Sequence, residues 1–305
     1  MTEKAPKVSI GLPVYNGEDF LHEAIESILN QTFTDFELII TDNASTDSTA
    51  EICQQYAASD ARIRYHRNQE NIGVANNHNL NFELAHGEYY RWAAHDDVNS
   101  PELIEKCVAV LDNDPSVVLC YTQTVSIDAS GSKMNVVSLK RATSNRAYQR
   151  FNDLAFRNDY CEPTYGLIRA DVLRNTRLER NYTGSDRVML CEIGFQGKFH
   201  EIPEPLFQKR HHAKNEYKDW RARMAWYNPG TEGDIVFPNW QQFLDYFVAI
   251  WRADIPLWDK ALCHVTMGKW LLVHGKSMVK DVLVAANMLI RSRESRKNAG
   301  VYNWE

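Results

Sequence analysis

Val8-Ser9-Ile10-Gly11-Leu12 runs straight into Pro13-Val14-Tyr15-Asn16-Gly17, an apolar strand-like run that ends in a polar turn. The same order recurs twice within the first hundred residues. Phe36-Glu37-Leu38-Ile39-Ile40 leads into Thr41-Asp42-Asn43-Ala44-Ser45-Thr46-Asp47, and Glu88-Tyr89-Tyr90-Arg91-Trp92-Ala93-Ala94 leads into His95-Asp96-Asp97. Each cluster precedes an amphipathic helical pattern. Strand, polar turn and helix in repetition describe a βαβαβ wound sheet, in which the carboxyl ends of the strands line one ligand-binding crevice.

Working outward, Phe20, Leu21, Ala24, Ile25, Ile28 and Leu29 recur at helical spacing and predict a helix from about Glu18 to Asn30. Thr46-Asp47-Ser48-Thr49 supplies N-cap chemistry for a helix through Tyr56. Arg62 to His66 reads as a short strand, Val74 to Leu84 as a helix, and Ser100-Pro101-Glu102 as a helix start. Val117 to Tyr121 reads as a buried strand, and Asp128-Ala129-Ser130-Gly131 as a turn between two edge strands. Residues 141 to 160 read as a helix with flexible flanks that covers the site. Tyr165 to Arg169 then reads as a strand and Ser185 to Gly194 as a helix carrying Asp186 in its first turn. Beyond residue 215 the chain turns to Trp-rich helical patterns, with the best break near Asn228-Pro229-Gly230. The expected division is 1–215 for the sheet domain and 216–305 for a helical region that makes acceptor, membrane-surface or oligomer contacts.

At 305 residues, with 44% apolar and 24% charged residues, the chain suits one large α/β core with a C-terminal appendage. A formal net charge of -6 offers no general basic field, which speaks against a nucleic-acid partner. Cys53, Cys107, Cys120, Cys161, Cys191 and Cys263 stand singly with no Cys-x-x-Cys pair; four lie in apolar runs and read as buried free thiols, a usage that fits a reducing cytoplasm. Met1 to Lys7 has no apolar core of the kind a secretory signal needs, and no window reaches the ~18–20 apolar residues of a membrane span. A cytoplasmic protein, at most peripheral at the inner face of the membrane, is the expectation.

Taken in order, Pro13-Val14-Tyr15-Asn16, Thr41 to Asp47, Asn71-Ile72-Gly73, His95-Asp96-Asp97, Gly184-Ser185-Asp186 and Lys209-Arg210-His211-His212 resemble the family 2 glycosyltransferases. Those are inverting enzymes with the GT-A fold, a Rossmann-like wound mixed sheet flanked by helices. The resemblance covers roughly residues 6 to 215; each motif is weak alone, and six in the family's order are specific. Two positions depart from the pattern. Ala94 stands where the family shows the first acid of Asp-x-Asp-Asp, and Asn77-His78-Asn79 stands where it often shows Ala-Arg-Asn.

The resemblance implies transfer of a sugar from a UDP- or dTDP-linked donor to a hydroxyl of a glycan or lipid-linked acceptor, in cell-surface polysaccharide or glycoconjugate synthesis. Such transfer passes through an oxocarbenium-like transition state. The departing diphosphate calls for a hard cation, Mn²⁺ or Mg²⁺, with Asp97 and His212 as its ligands and His211 competing for the latter role. Asp96 would meet a sugar hydroxyl, a water or the metal, while His95 would point away if the segment is extended. Asp186 is the expected base, with helix capping as the plainer reading. Pro13, Tyr15 and Asn16 would shape the nucleotide-base pocket, Asp42 would accept hydrogen bonds from base or ribose, and Asn71, Gly73 and Asn79 would form the opposite wall. Turn chemistry is the plainer reading of these Asn and Gly residues. Asp219, Trp226 and Tyr227 are the candidate acceptor contacts.

In the tail, residues 259 to 305 hold eight Lys/Arg against four Asp/Glu, a balance that suits an anionic leaflet. Packing on the core or on a second subunit, as a homodimer, is the plainer reading. Two other classes fit less well. A sugar nucleotidyltransferase would open with a Gly-rich, Arg- and Lys-bearing loop, which Pro13 to Gly17 is not. A catalytically silent nucleotide- or glycan-binding module is the reading that Ala94 leaves open.

Overall fold

The computed structural model describes residues 5–156, 162–212, 226–227, 229–231 and 235–300, with side chains to residue 290. Nine strands form one sheet: β1 (Val8–Val14), β2 (Phe36–Asp42), β3 (Ile63–Arg67), β4 (Tyr89–Trp92), β5 (Val98–Asn99), β6 (Val117–Ile127), β7 (Lys133–Val137), β8 (Leu167–Arg169) and β9 (Lys198–Arg210). The helices are α1 (Leu21–Leu29), α2 (Thr49–Ser59), α3 (Val74–Glu83), α4 (Leu103–Asn113), α5 (Ala147–Phe156), α6 (Ala170–Arg174), α7 (Ser185–Gln196), α8 (Pro238–Arg252) and α9 (Leu257–Gly300). The strand order is β3-β2-β1-β4-β8-β6-β9-β5, with β7 paired to β6. β1 runs parallel to β2 and β4, and β2 to β3, as the repeated strand-turn-helix pattern requires. Beyond β4 the sheet becomes mixed, because β8 pairs antiparallel with both β4 and β6 while β9 runs parallel to β6.

Both faces are covered, so β1 and β2 are buried along all seven residues. One core packs Val8, Ile10, Leu12, Ile25, Leu38, Ile40 and Ile104 beneath α1 and α4. The other gathers Tyr90, Trp92, Tyr121, Phe151, Met189 and Ile193 and continues into Tyr246, Ile250, Met267 and Trp270 of α8 and α9. The pleat divides β4: Tyr89 goes to the first core and Tyr90 and Trp92 to the second.

Several sequence expectations are met, including α3, β3 and the hairpin turn at Asp128, whose Oδ1 accepts the amides of Ser130 and Ser132 at 2.8 and 3.0 Å. Others are corrected. β6 runs on to Ile127 because β9 pairs with it from Val117 to the end. α4 begins at Leu103, and the amide of Ile104 donates to Gln31 Oε1 at 3.0 Å, so the cap comes from α1's neighbourhood rather than from Ser100. α5 does not cover the site. Phe151, Leu154 and Ala155 face the core at helical spacing, Phe151 stacks on Phe195 at 5.3 Å, and Arg150 Nη2 donates to Phe195 O. The expected break between 215 and 230 falls almost wholly on residues outside the described set. All five described cysteines are buried and free, and Cys161 lies outside the described residues. Among the described residues no helix is long and apolar enough to cross a membrane.

A buried ion network fixes α8 to the sheet domain. Arg177 Nε donates to Glu192 Oε1 at 2.6 Å and its Nη1 to Asp245 Oδ1 at 2.9 Å, while Tyr182 Oη donates to Asp245 Oδ2 at 2.7 Å. Removing one partner leaves an uncompensated buried charge, which outweighs the pair's net worth. Asp245→Ala is therefore expected to lower stability by about 3–5 kcal/mol in urea titration. A loss under ~1 kcal/mol would mean that packing alone holds the helix pair in place.

Candidate functional site

The carboxyl ends of β1, β2 and β4 open on a single cleft of about 860 Å³, a size suited to a drug-sized or nucleotide ligand. Pro13, Tyr15 and Asn16 line it after β1, Asn71, Val74, Asn77 and His78 at the start of α3, and Ala94, His95 and Asp96 after β4. Thr183, Gly184, Asp186 and Arg187 bring the start of α7, Lys209 and His212 the end of β9, and Trp226 and Tyr227 close one side. Nine of the residues expected from the sequence thus share one cavity: Pro13, Tyr15, Asn16, Asn71, Asp96, Asp186, His212, Trp226 and Tyr227.

Backbone and side chains lace the β1 and β2 loops together. Asn16 takes the left-handed conformation (φ 50°), which asparagine tolerates, and its Oδ1 accepts the Thr46 amide at 2.8 Å. In return the amide of Asn16 donates to Ser45 Oγ and that of Gly17 to Thr49 Oγ1, both at 2.9 Å. Tyr15 is left 39% exposed at the cleft rim, free to present its ring face.

Asp42, in contrast, does not line the cleft. It is fully buried, its Oδ1 accepting the Ser45 amide at 2.8 Å and its Oδ2 accepting Tyr65 Oη at 2.9 Å and Arg67 Nη1 at 2.8 Å. Its carboxylate shapes the turn that carries Asn43, and Asn43 faces the cleft instead. Asn43 Oδ1 accepts from Asn68 and from the Ile72 amide, and its Nδ2 donates to Asn71 Oδ1 at 2.8 Å. Gly73 lies behind this wall at φ 83°, with Tyr227 O 2.3 Å from where a Cβ would sit. Asn79 also turns away, exchanging hydrogen bonds with the Glu179 backbone at 2.8 and 3.1 Å. Its neighbour His78 lines the cleft instead, with Nδ1 3.1 Å from the buried Glu179 carboxylate and its ring stacked on Trp92.

At the floor, His95 and Asp96 form a turn rather than extended chain, so both reach the cleft instead of alternating. Asp96 Oδ2 lies 3.0 Å from His212 Nε2, each side chain 8% exposed. Asp97 lies beneath, buried, with Oδ1 accepting the Arg210 amide at 2.8 Å. Arg210 Nε donates to Asp96 O at 2.9 Å, and its guanidinium reaches Glu23 and covers the Phe20 ring. Burial, reinforced by the Asp96 charge, pushes the Asp97 carboxyl well above the usual range, and the Arg210 amide opposes that. Arg91, also buried, is pushed down to about 10 by desolvation. Its Nε and Nη2 have no hydrogen-bond partner among the described residues.

Among the described residues no three His, Cys, Asp or Glu side chains cluster as a metal cage. Asp96 and His212 form a hard carboxylate–imidazole pair that lines the cleft, and a divalent ion held by them would draw its remaining ligands from phosphate oxygens and water. That donor set fits Mn²⁺ or Mg²⁺ bound together with a diphosphate. Asp97, buried and engaged with Arg210, supports this pair from below.

Four cleft residues come from the C-terminal helices and were not legible as site residues: Asn239, Gln242, His274 and Ser277. Gln242 Nε2 donates to the carbonyl of Gly184, which sits at φ 96° before Asp186. Burial, helped by the Arg187 charge, pushes the His274 imidazole down and keeps it neutral. Asp219 lies outside the described residues.

Comparison with known proteins agrees with this geometry. The sequence profile of Glycosyl transferase family 2 matches residues 9–176, more than half of the chain. Chondroitin synthase of Escherichia coli is 35% identical over 130 residues, covering 43% of this chain and 19% of that protein. The chain spans between 22% and 67% of the length of other curated relatives. The fold is similar to S. aureus TarS in complex with UDP-GlcNAc, with a TM-score of 0.64 and 17% identity over 88% of this chain and 72% of that one. It is also similar to the mannosyltransferase PcManGT of Pyrobaculum calidifontis in complex with GDP-Man and Mn²⁺, with a TM-score of 0.55 and 16% identity over 99% and 82%.

The Gly73 turn offers a direct check on how the cleft is held. Gly73→Ala adds a methyl group against Tyr227 O at a positive φ, which is expected to cost about 1–3 kcal/mol and to push the Trp226-Tyr227 wall outward. Thermal unfolding together with UDP titration measures both effects. Unchanged stability and affinity would mean that residues 226–227 are not held against this turn.

Proposed function

The chain belongs to glycosyl transferase family 2, and we propose that it moves a sugar from a UDP- or dTDP-linked donor to a hydroxyl of a glycan or lipid-linked acceptor, inverting the anomeric carbon. One observation carries this reading. Asp186, the Asp96–His212 pair and the exposed Tyr15 ring open on the same cleft at the carboxyl ends of the strands.

Each residue has a job that follows from its position. Tyr15 packs on the base face, while Asn43 and Asn71, already cross-bonded, present fixed polar atoms to the nucleotide. Asp96 and His212 would hold the divalent ion. When bound, Mn²⁺ or Mg²⁺ neutralises the charge that grows on the departing diphosphate. Lys209, which also lines the cleft, adds a cation on the same side. Asp186, at the start of α7, takes the proton from the acceptor hydroxyl as its oxygen bonds to the anomeric carbon and the old bond to phosphate breaks. The start of α7 is fixed by the Gln242–Gly184 contact, so the base is positioned by a helix of the C-terminal region. Trp226, Tyr227 and the uncharged side chains of Asn239, Gln242 and Ser277 suit an acceptor read through its hydroxyls.

Two measurements test the assignment of roles. Asp186→Asn is expected to leave UDP affinity within a few-fold and to cut sugar transfer by ~10²–10⁴, the usual contribution of a general base. Unimpaired transfer would remove Asp186 from that role. For Asp96→Ala, titration calorimetry should find UDP binding no longer strengthened by Mn²⁺, with a loss of about 10–100-fold. If the variant and its parent respond alike to the ion, the metal is not held at this pair.

A further inference from the structure

The C-terminal helix pair has two working sides. Toward the core α9 buries Cys263, Met267, Trp270, Met278 and Ala285. At 100° per residue, Trp258, Val265, Leu272, Val279, Leu283 and Ile290 fall in a sector roughly 60° wide on the opposite side, and all six are exposed. Leu272 is 86% exposed and Trp258 69%. α8 adds Trp240, Leu244, Val248 and the 65% exposed Trp251 at helical spacing. The two helices are joined edge to edge, with Trp240 Nε1 donating to Met278 O and the Trp251 ring against His264. Their outward residues therefore make one apolar face, larger than the isolated exposed side chains normal on a soluble protein.

Charge selects the occupant. Between residues 238 and 290 the chain has four carboxylates and no glutamate. Asp245 is buried against Arg177 and Tyr182, and Asp281 accepts from the Asn239 amide and side chain. Asp259 is half-buried and acts on Arg150 and Cys263, toward the core. Only Asp254, in the turn between the helices, is fully exposed, and Arg252 stands two residues before it. Along the outward side of α9, up to residue 290 where the described side chains end, the charged groups are Lys269, Lys276 and Lys280, all exposed. A second copy packed on this stripe would bring those lysines together with no carboxylate to meet them, which is unfavourable. An anionic lipid surface meets both demands: its acyl boundary takes the apolar residues, and its headgroups meet lysines that extend past them.

We propose that the outward face of α8 and α9 docks in the plane of an anionic membrane leaflet. The helices then lie as an interfacial layer, and the same helices turn Asn239, Gln242, His274 and Ser277 into the cleft on their other side. The cleft thus stands about one helix diameter, ~10 Å, from the headgroups. This deepens the glycosyltransferase reading by naming a lipid-linked acceptor, and the docking itself stands independently of the chemistry.

The test is co-sedimentation of the full chain with vesicles of phosphatidylcholine alone or with about a third phosphatidylglycerol, at low and high salt, beside lipid-free light scattering. Binding is expected to the anionic vesicles only and to weaken as salt rises. Each lysine near such a surface is worth roughly a fivefold change in partition, so K269Q/K276Q/K280Q should lose on the order of 100-fold. L272S/V279S should lose binding at every salt concentration. Both variants should keep parental hydrolysis of a soluble nucleotide sugar, since neither touches the cleft. Failure to bind anionic vesicles while donor turnover is intact overturns the docking and leaves the chemistry standing. Vesicle binding without donor turnover does the reverse. A lipid-free dimer that L272S/V279S dissolves would assign the face to a second copy and overturn the proposal.

Discussion

The floor of the cleft depends on one buried contact, between Arg210 at the end of β9 and the turn that carries Asp96 and Asp97. The amide of Arg210 binds the Asp97 carboxylate while its guanidinium holds the Asp96 carbonyl, so one residue fixes both side chain and backbone. These partners are more than a hundred residues apart in sequence, and β9 delivers Arg210 because its last four residues, Phe207 to Arg210, pair with β6. Asp97 is costly to bury as an anion, and its carboxyl is pushed up accordingly. What it yields is position. With the turn pinned from below, Asp96 lines the cleft and meets His212 at 3.0 Å.

A similar division of labour runs through the β1–β2 side of the cleft. Asp42 uses both carboxylate oxygens on Ser45, Tyr65 and Arg67, and thereby sets the loop from which Asn43 reaches the cleft. The Asn43, Asn68, Asn71 and Asn77 amides then bond to one another and to backbone. Neutral amides suit this place because each donates and accepts, so a wall of them can be satisfied internally and still present an edge to a ligand. In both regions an acid expected from the sequence to meet the ligand or metal is buried and bonded to protein groups, and its neighbour lines the cleft.

That displacement by one residue explains what could and could not be read from the sequence. The parallel strands, the hairpin at Asp128 and the crevice at the strand ends were legible, because period and turn chemistry are local properties. Which residue of Asp96-Asp97 or Asp42-Asn43 faces the ligand was not, since it depends on whether the chain is extended or turned after the strand. His95 and Asp96 are turned, so the alternation of a strand does not apply. Asn239, Gln242, His274 and Ser277 were out of reach for another reason. They sit on helices whose register against the cleft is set by Arg177, Glu192 and Asp245, groups far apart in the chain.

The C-terminal helices link the two scales of the molecule. Gln242 holds the Gly184 carbonyl, and so the helix start that presents Asp186, while the opposite side of the same helix pair is apolar and edged with lysine. Any force on the outward face is applied to elements whose inward face lines the cleft. Because α8 is anchored by buried ion pairs rather than by a loop, it transmits position instead of absorbing it. Under the proposed reading this rigidity matters: an orientation imposed at the outward face becomes the orientation of Asp186, without a mobile joint between them.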